Sequence, residues 1–328
     1  GILYLNFRRL KVKEMSTNIN RDTKFNSFEK SYKKMKHAIV GLFSVGLFIC
    51  LIGFIGTVIY FNHLTHESSK ISDRELKQKV LHFAGDDLIN HENSDVLSEY
   101  DKSENSLIVG PKHVNPNVIK ALTSSEDTMF YKHKGILPKA LVRAMIQDVF
   151  NLDQSTGGST ITQQLVKNQV LSSKKTYSRK ANELILAMRL ENLLSKNEII
   201  YTYLNIVPFG RDYEGNNITG IASASYSLFG IPPKDLNIAQ SAYLIGLLQS
   251  PYMYTPYEEN GELKTYKEVK ISVNRQHYVL KRMLIEGVID KEEYRHAKRY
   301  HIYDHLLTKP QLTNNLSLIH ISEPTRPY

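Results

Sequence analysis

The chain has 328 residues, 41% hydrophobic and 23% charged, which are the proportions of a globular protein with room for a sizeable core. Its single cysteine excludes a disulfide framework, so any folded part is held by packing alone. The formal net charge of +9 and the pI near 9.2 point to an anionic partner, either nucleic acid or a membrane surface, and total charge does not separate the two.

Local pattern does separate them. Residues 1–37 form a basic tail. Within it, residues 1–14 precede the first methionine, and Lys11, Lys13 and Glu14 correspond to purine-rich codons like those of a ribosome-binding site, so translation is expected to start at Met15. Residues 38–61, Ala38 to Phe61, contain no charged side chain and are rich in Ile, Leu, Val, Phe and Gly. As a helix they measure roughly 36 Å, enough to cross a hydrocarbon core of about 30 Å with some tilt. The stretch is too long for a signal-peptide core, and no small-x-small cleavage site follows Tyr60. Between Met15 and His37, Arg21, Lys24, Lys30, Lys33, Lys34 and Lys36 outnumber Asp22 and Glu29, which puts the amino end in the cytoplasm and everything after Phe61 outside. The expected localisation is therefore the plasma membrane, single-pass, with no nucleic-acid partner. Cys50 lies inside the span.

Residues 62–105 are polar with little periodicity and are expected to form a juxtamembrane stalk with short helices. Organised structure begins at Asn115-Pro116, an N-cap followed by proline at the first helical position, with Val118, Ile119 and Leu122 as the buried stripe. That helix ends on Glu126-Asp127, followed by Phe130 and His133. Adjacent acids at this place are either a solvated helix end or, if buried beside Phe130, a carboxylate made basic enough to take a proton. In Ile136 to Phe150, Leu137, Leu141, Ala144, Met145 and Val149 alternate with Lys139 and Arg143, a face suited either to lipid headgroups or to the core.

Gly157 to Asn168 reads Gly-Gly-Ser-Thr-Ile-Thr-Gln-Gln-Leu-Val-Lys-Asn. With a helix starting near Ser159, Thr160, Gln164 and Lys167 share one face. A glycine-opened helix start offers free N–H groups and the positive end of the dipole, and Lys167 adds a full charge, an arrangement suited to a phosphate or diphosphate. The plainer alternative is a Gly-Gly turn before a solvated helix face. Ser178 is the expected N-cap of a helix from Arg179 to Leu194, with Arg179 and Glu183 one turn apart. A further helix runs from Glu198 through Tyr203 to Asn205 and breaks at Pro208-Phe209-Gly210, and Leu236 to Leu248 is one more apolar helix. No alternating β pattern occurs between Asn115 and Pro256, so the domain is expected to be mainly helical.

Taken together, these segments resemble the peptidoglycan glycosyltransferase domain of glycosyltransferase family 51, found in class A penicillin-binding proteins and in monofunctional enzymes. The five motifs stand in order: Glu126-Asp127 through Phe130 and His133 to Gly135; Gly157 to Asn168; Arg179-Lys180 through Glu183 to Glu191; Glu198 to Asn205; and Gly220-Ile221 through Pro251 and Pro256. Ser223, Ser225 and Gln240 depart from the family's usual alanines and glutamate.

The resemblance implies a mainly α, lysozyme-like, two-lobed fold behind a single N-terminal transmembrane helix, with residues 106–257 as the glycosyltransferase domain and Ile136 to Phe150 in a membrane-facing jaw. It also implies polymerisation of lipid II into glycan strands, with inversion and release of undecaprenyl diphosphate. Glu126 would be the general base and Glu183 the second catalytic glutamate. Asp127, Phe130, His133, Ser159, Thr160, Gln163, Gln164, Lys167, Asn168, Arg179 and Lys180 would bind the diphosphate and sugar. Family members often use Mg²⁺ or Mn²⁺; the sequence holds no all-protein metal cage, so a loosely bound ion is the most expected, and no organic cofactor. The implied partners are lipid II, the growing glycan strand, the bacterial plasma membrane and other cell-wall synthesis and division proteins.

Residues 258–316 resemble the connector that precedes a transpeptidase domain, whose Lys-Thr-Gly motif is missing. Residues 317–328 resemble translated adapter sequence and are expected to be non-native. Two rival readings stand beside the glycosyltransferase: a muramidase on the same scaffold, which would need no diphosphate site, and a catalytically idle, membrane-anchored scaffold that binds lipid II.

Overall fold

The computed structural model describes residues 2–82, 108–139, 143, 158–171 and 176–307. They fall into two compact units, one reaching His63 and one starting at Leu64. The first is a single helix, α1 (Ile2–Leu64). Its part from Asn26 to Leu64 is long and apolar enough to cross a membrane, with a mean hydropathy of 2.7 in a window of which none is buried. Leu42 and Phe43 are 75% and 77% exposed, so this apolar surface has no protein core to enter. The few hydroxyls inside it are satisfied within the helix: Ser44 donates to the Val40 carbonyl and Thr57 to the Gly53 carbonyl, each at 2.8 Å.

Among the described residues, the second unit is mainly helical, with one hairpin. Its described elements are α2 (His66–Lys70), α3 (Asp73–Leu81), α4 (Pro116–Glu126), α5 (Ile161–Gln169), α6 (Tyr177–Leu193), α7 (Lys196–Ile206), β1 (Pro208–Arg211), β2 (Asn217–Thr219), α8 (Ile221–Phe229), α9 (Ile238–Leu247), α10 (Pro251–Tyr254), α11 (Tyr266–Ile285) and α12 (Lys291–Arg299). The expected fold class, mainly α behind an apolar N-terminal helix, holds. The strands pair antiparallel, Arg211 opposite Asn217 and Gly210 opposite Ile218, and are too short to show an alternating pattern.

Two helix groups position the site. In one, α9 packs against α4 and α11, and Ala242 and Leu244 on α9, Val118 and Leu122 on α4, and Val279 and Leu280 on α11 are all fully buried. In the other, α6 packs on α5 and α3. Side-chain caps mark where these helices start. Asn115 accepts from the Asn117 N–H at the start of α4, and Ser195 and Glu198 form a reciprocal capping box at α7. Asn237 does the same at α9 with Gln240, so the Gln240 departure serves the cap. The cap of α6 is Thr176 rather than the expected Ser178, because the Thr176 hydroxyl accepts from the Arg179 N–H. Ser178 instead donates to the Leu64 carbonyl at 2.8 Å.

Two expected boundaries are corrected. Residues 66–81, expected within a stalk, are part of the folded domain: Leu76 and Val80 are fully buried and Leu81 nearly so. Asn182 on α6 accepts from the Ser68 N–H at 2.7 Å, and Arg189 donates to the carbonyls of Ser68 and Ile71 at 2.8 and 2.7 Å. Likewise α11, expected in a connector outside the domain, is core. Gln276 donates to the Ala239 carbonyl at 2.8 Å, and Tyr243 and Ser272 share a hydrogen bond of 3.1 Å. Most of Ile136 to Phe150, together with Gly157 and residues 83–105 and 308–328, lies outside the described residues.

Candidate active site

Glu126 is the last residue of α4, its side chain 15% exposed. Two neighbours hold its two oxygens. Gln164 Nε2 on α5 donates to Oε2 at 3.3 Å, and Arg275 Nη2 on α11 approaches Oε1 at 3.4 Å. Gln164 is itself fixed, because the Tyr203 hydroxyl on α7 donates to its Oε1 at 2.9 Å and so turns the amide nitrogen toward the carboxylate. Burial, followed by the charge of Glu126, pushes the Tyr203 phenol far above its usual range, so it remains a neutral donor.

Gln163, next to Gln164, serves the other carboxylate. Its Nε2 donates to Glu183 Oε1 at 3.3 Å, while its Oε1 accepts from the Thr160 N–H at 2.9 Å. Glu183 is 2% exposed and ion-paired with Lys180. Lys180 also donates to Ser159 Oγ at 3.0 Å. Adjacent glutamines on one short helix thus tie two carboxylates, each facing a cation, to a common frame.

Several residues expected to touch substrate are buried and build that frame. Thr160 is the fully buried N-cap of α5, accepting from the Gln163 N–H at 3.1 Å and donating to the Gly135 carbonyl at 2.6 Å. Asp127 is 3% exposed and its Oδ2 accepts from the Ile161 N–H at 3.0 Å. At the start of α5, expected to offer free N–H groups to a diphosphate, the N–H groups of Thr160, Ile161 and Gln163 are thus satisfied from inside the protein. Gly135 N–H donates to His133 Nδ1 at 3.0 Å, which leaves the His133 proton on Nε2, donated to Asp127 Oδ2 at 2.8 Å. Phe130 is fully buried, with Lys196 Nζ 4.5 Å from its ring centroid. Gly135 has φ +89°, and a Cβ there would lie 2.6 Å from the Ala187 carbonyl oxygen, so only glycine lets this loop lie against α6.

Among the predicted site residues, the cations without a described ion pair are Lys167, exposed beside Asn168, and Arg179, half-buried with an unpartnered Nε. Among the described residues no group of three His, Cys, Asp or Glu side chains forms a metal cage. Sequence reasoning missed Arg275, which stands 149 positions from Glu126 and in an expected connector.

The described residues thus form a helical domain in which two carboxylates, Glu126 and Glu183, each face a cation, and the chain also carries a helix long and apolar enough to span a membrane. The transglycosylase family model matches residues 93–284, more than half of the chain, and the chain belongs to this family. Among its relatives, penicillin-binding protein 1A of Clostridium botulinum is 32% identical over 269 residues, covering 81% of this chain and 31% of its own length. Penicillin-binding protein 1A of Pseudomonas aeruginosa is 36% identical over 200 residues, 59% of this chain and 23% of its own. A crystal structure of penicillin-binding protein 1A from Haemophilus influenzae aligns at 28% identity over 38% of this chain and 17% of its own, with a TM-score of 0.29. The chain thus spans less than a third of the length of these relatives.

Proposed function

We propose that the chain is a peptidoglycan glycosyltransferase that polymerises lipid II, inverting the anomeric centre and releasing undecaprenyl diphosphate. The acceptor's 4-hydroxyl oxygen forms the new bond to the donor's anomeric carbon, its proton passes to Glu126, and the bond to the diphosphate breaks with the electron pair leaving on the diphosphate oxygen. The observation that carries this reading is the Glu126 carboxylate, positioned by Gln164 and Arg275 at a helix end yet still partly open. A positioned base contributes about 10² to 10⁴ in rate, so stabilisation of the leaving diphosphate supplies much of the remainder. Lys167 and Arg179 have the charge and exposure for that task. Glu183 keeps Lys180 at Ser159 beside the start of α5.

In this reading α1 anchors the enzyme in the plasma membrane with its amino end in the cytoplasm, matching a substrate that is itself held by its lipid, and other cell-wall synthesis and division proteins are its partners. Glu126 and Glu183 each already face a cation, so the side chains do not fit a protein-held metal. Mg²⁺ or Mn²⁺ enters only as an ion carried by the diphosphate, and no step depends on it.

The test is incubation of detergent-solubilised protein with labelled lipid II, following both products. Glycan polymer appearing together with one undecaprenyl diphosphate per linkage supports the proposal. Binding without polymer would leave the idle scaffold, and shortening of preformed glycan would leave the muramidase.

A further inference from the structure

Arg275 touches two groups. Its Nη2 stands 3.4 Å from Glu126 Oε1, a long contact for a charge-assisted hydrogen bond. Its Cζ stands 4.2 Å from the centroid of the Tyr278 ring, close enough for a full cation–π contact. Tyr278 lies three residues further along α11, so the two side chains are neighbours on one helix face. The stem of Arg275 passes over Gly246 on α9, where even an added Cβ would lie 3.3 Å from the arginine Cγ. Arg275 Nε is buried with no partner, and the guanidinium makes no bidentate pair with Glu126. An arginine with a loose carboxylate contact and an unpaired nitrogen keeps one orientation only if something else fixes its plane. The Tyr278 ring does this while remaining 44% exposed, so its contribution to the core is small.

We propose that Tyr278 is a positioning residue for the reaction: its ring holds the Arg275 guanidinium flat, and Arg275 in turn holds Glu126 in the orientation that receives the acceptor's proton. The proposal rests on the glycosyltransferase reading. A general base works only within hydrogen-bond reach of its proton, and small misplacements are costly. Removing the ring frees Arg275 to leave Glu126, so the loss falls on turnover rather than on substrate binding.

The experiment is a kinetic double-mutant cycle on the solubilised full chain with lipid II, using Tyr278→Ala, Arg275→Ala and the double variant, with Tyr278→Phe as the conservative replacement. Tyr278→Ala is expected to lower kcat by about 3- to 30-fold with KM unchanged. The double variant is expected to match Arg275→Ala alone, and Tyr278→Phe to stay within about twofold of the parent. Multiplicative effects, an unaffected kcat, or a rise in KM alone would overturn the proposal, the last by making Tyr278 a substrate contact. If the parent forms no polymer, the reaction reading falls, and the positioning claim is then decided by thermal midpoints. Coupling between Arg275→Ala and Glu126→Gln that shrinks in the Tyr278→Ala background supports it, and unchanged coupling refutes it.

Discussion

Asp127 Oδ2 accepts the Ile161 N–H at 3.0 Å, so the carboxylate next to Glu126 in sequence closes the N-terminus of α5. One carboxylate thereby joins the end of α4, the start of α5 and, through His133 Nε2, the loop up to Gly135. This linkage sets the distance between the helix carrying Glu126 and the helix carrying Gln163 and Gln164. Asp127→Asn cannot accept both N–H groups on one oxygen with a full charge and is expected to destabilise the domain by about 1–3 kcal/mol. A lowered urea midpoint with an unchanged m-value checks this. A midpoint equal to the parent's would show that the linkage contributes nothing.

Glu183 is buried, and its charge is balanced by Lys180, whose side chain is 38% exposed. Lys180→Ala leaves the carboxylate with only the Gln163 amide as a neutral donor, and solvent reaching the lysine side moderates the loss. The expected cost is about 1–3 kcal/mol, and adding Glu183→Gln to Lys180→Ala should recover part of it. Chemical denaturation of the single and double variants reads both numbers. Costs that simply add would mean the two side chains do not act as a pair.

Three phenols give the domain an alkaline limit. Burial raises the pKa of Tyr203, Tyr243 and Tyr257 above the ordinary value, opposed at Tyr243 by the Ser272 hydrogen bond. Above about pH 10 the unfolded chain gives up these protons while the native protein keeps them, so stability is present below that pH and falls as pH rises past it. Urea midpoints measured between pH 8 and 11 should be flat to about pH 10 and then decline. The decline should be shallower in Tyr203→Phe, which removes one of the most strongly raised phenols.

Much of the architecture was legible because it follows from local rules. The uncharged run Ala38 to Phe61 gave the candidate span, and Asn115-Pro116 gave the start of α4 and hence the place of Glu126 at its end. The missing parts depend on tertiary contacts. Thr160 reads as a polar face residue, but its hydroxyl is used by the capping box and the Gly135 carbonyl, which buries it. Residues 66–81 look like a polar stalk because Leu76, Val80 and Leu81 are their only buried hydrophobic side chains, and the segment is otherwise held by Asn182 and Arg189. Arg275 carries no local signal; it becomes a site residue only because α11 packs across α4 and α9.

In the proposed reaction Glu126 takes the acceptor's proton, and the most direct measurement is lipid II polymerisation by the parent and by Glu126→Gln. The amide in that variant would keep the shape of the side chain but could not accept the proton. We predict polymer from the parent, at least about 100-fold less from the variant, and lipid II binding by both. A Glu126→Gln variant that polymerises at the parent's rate would contradict the account.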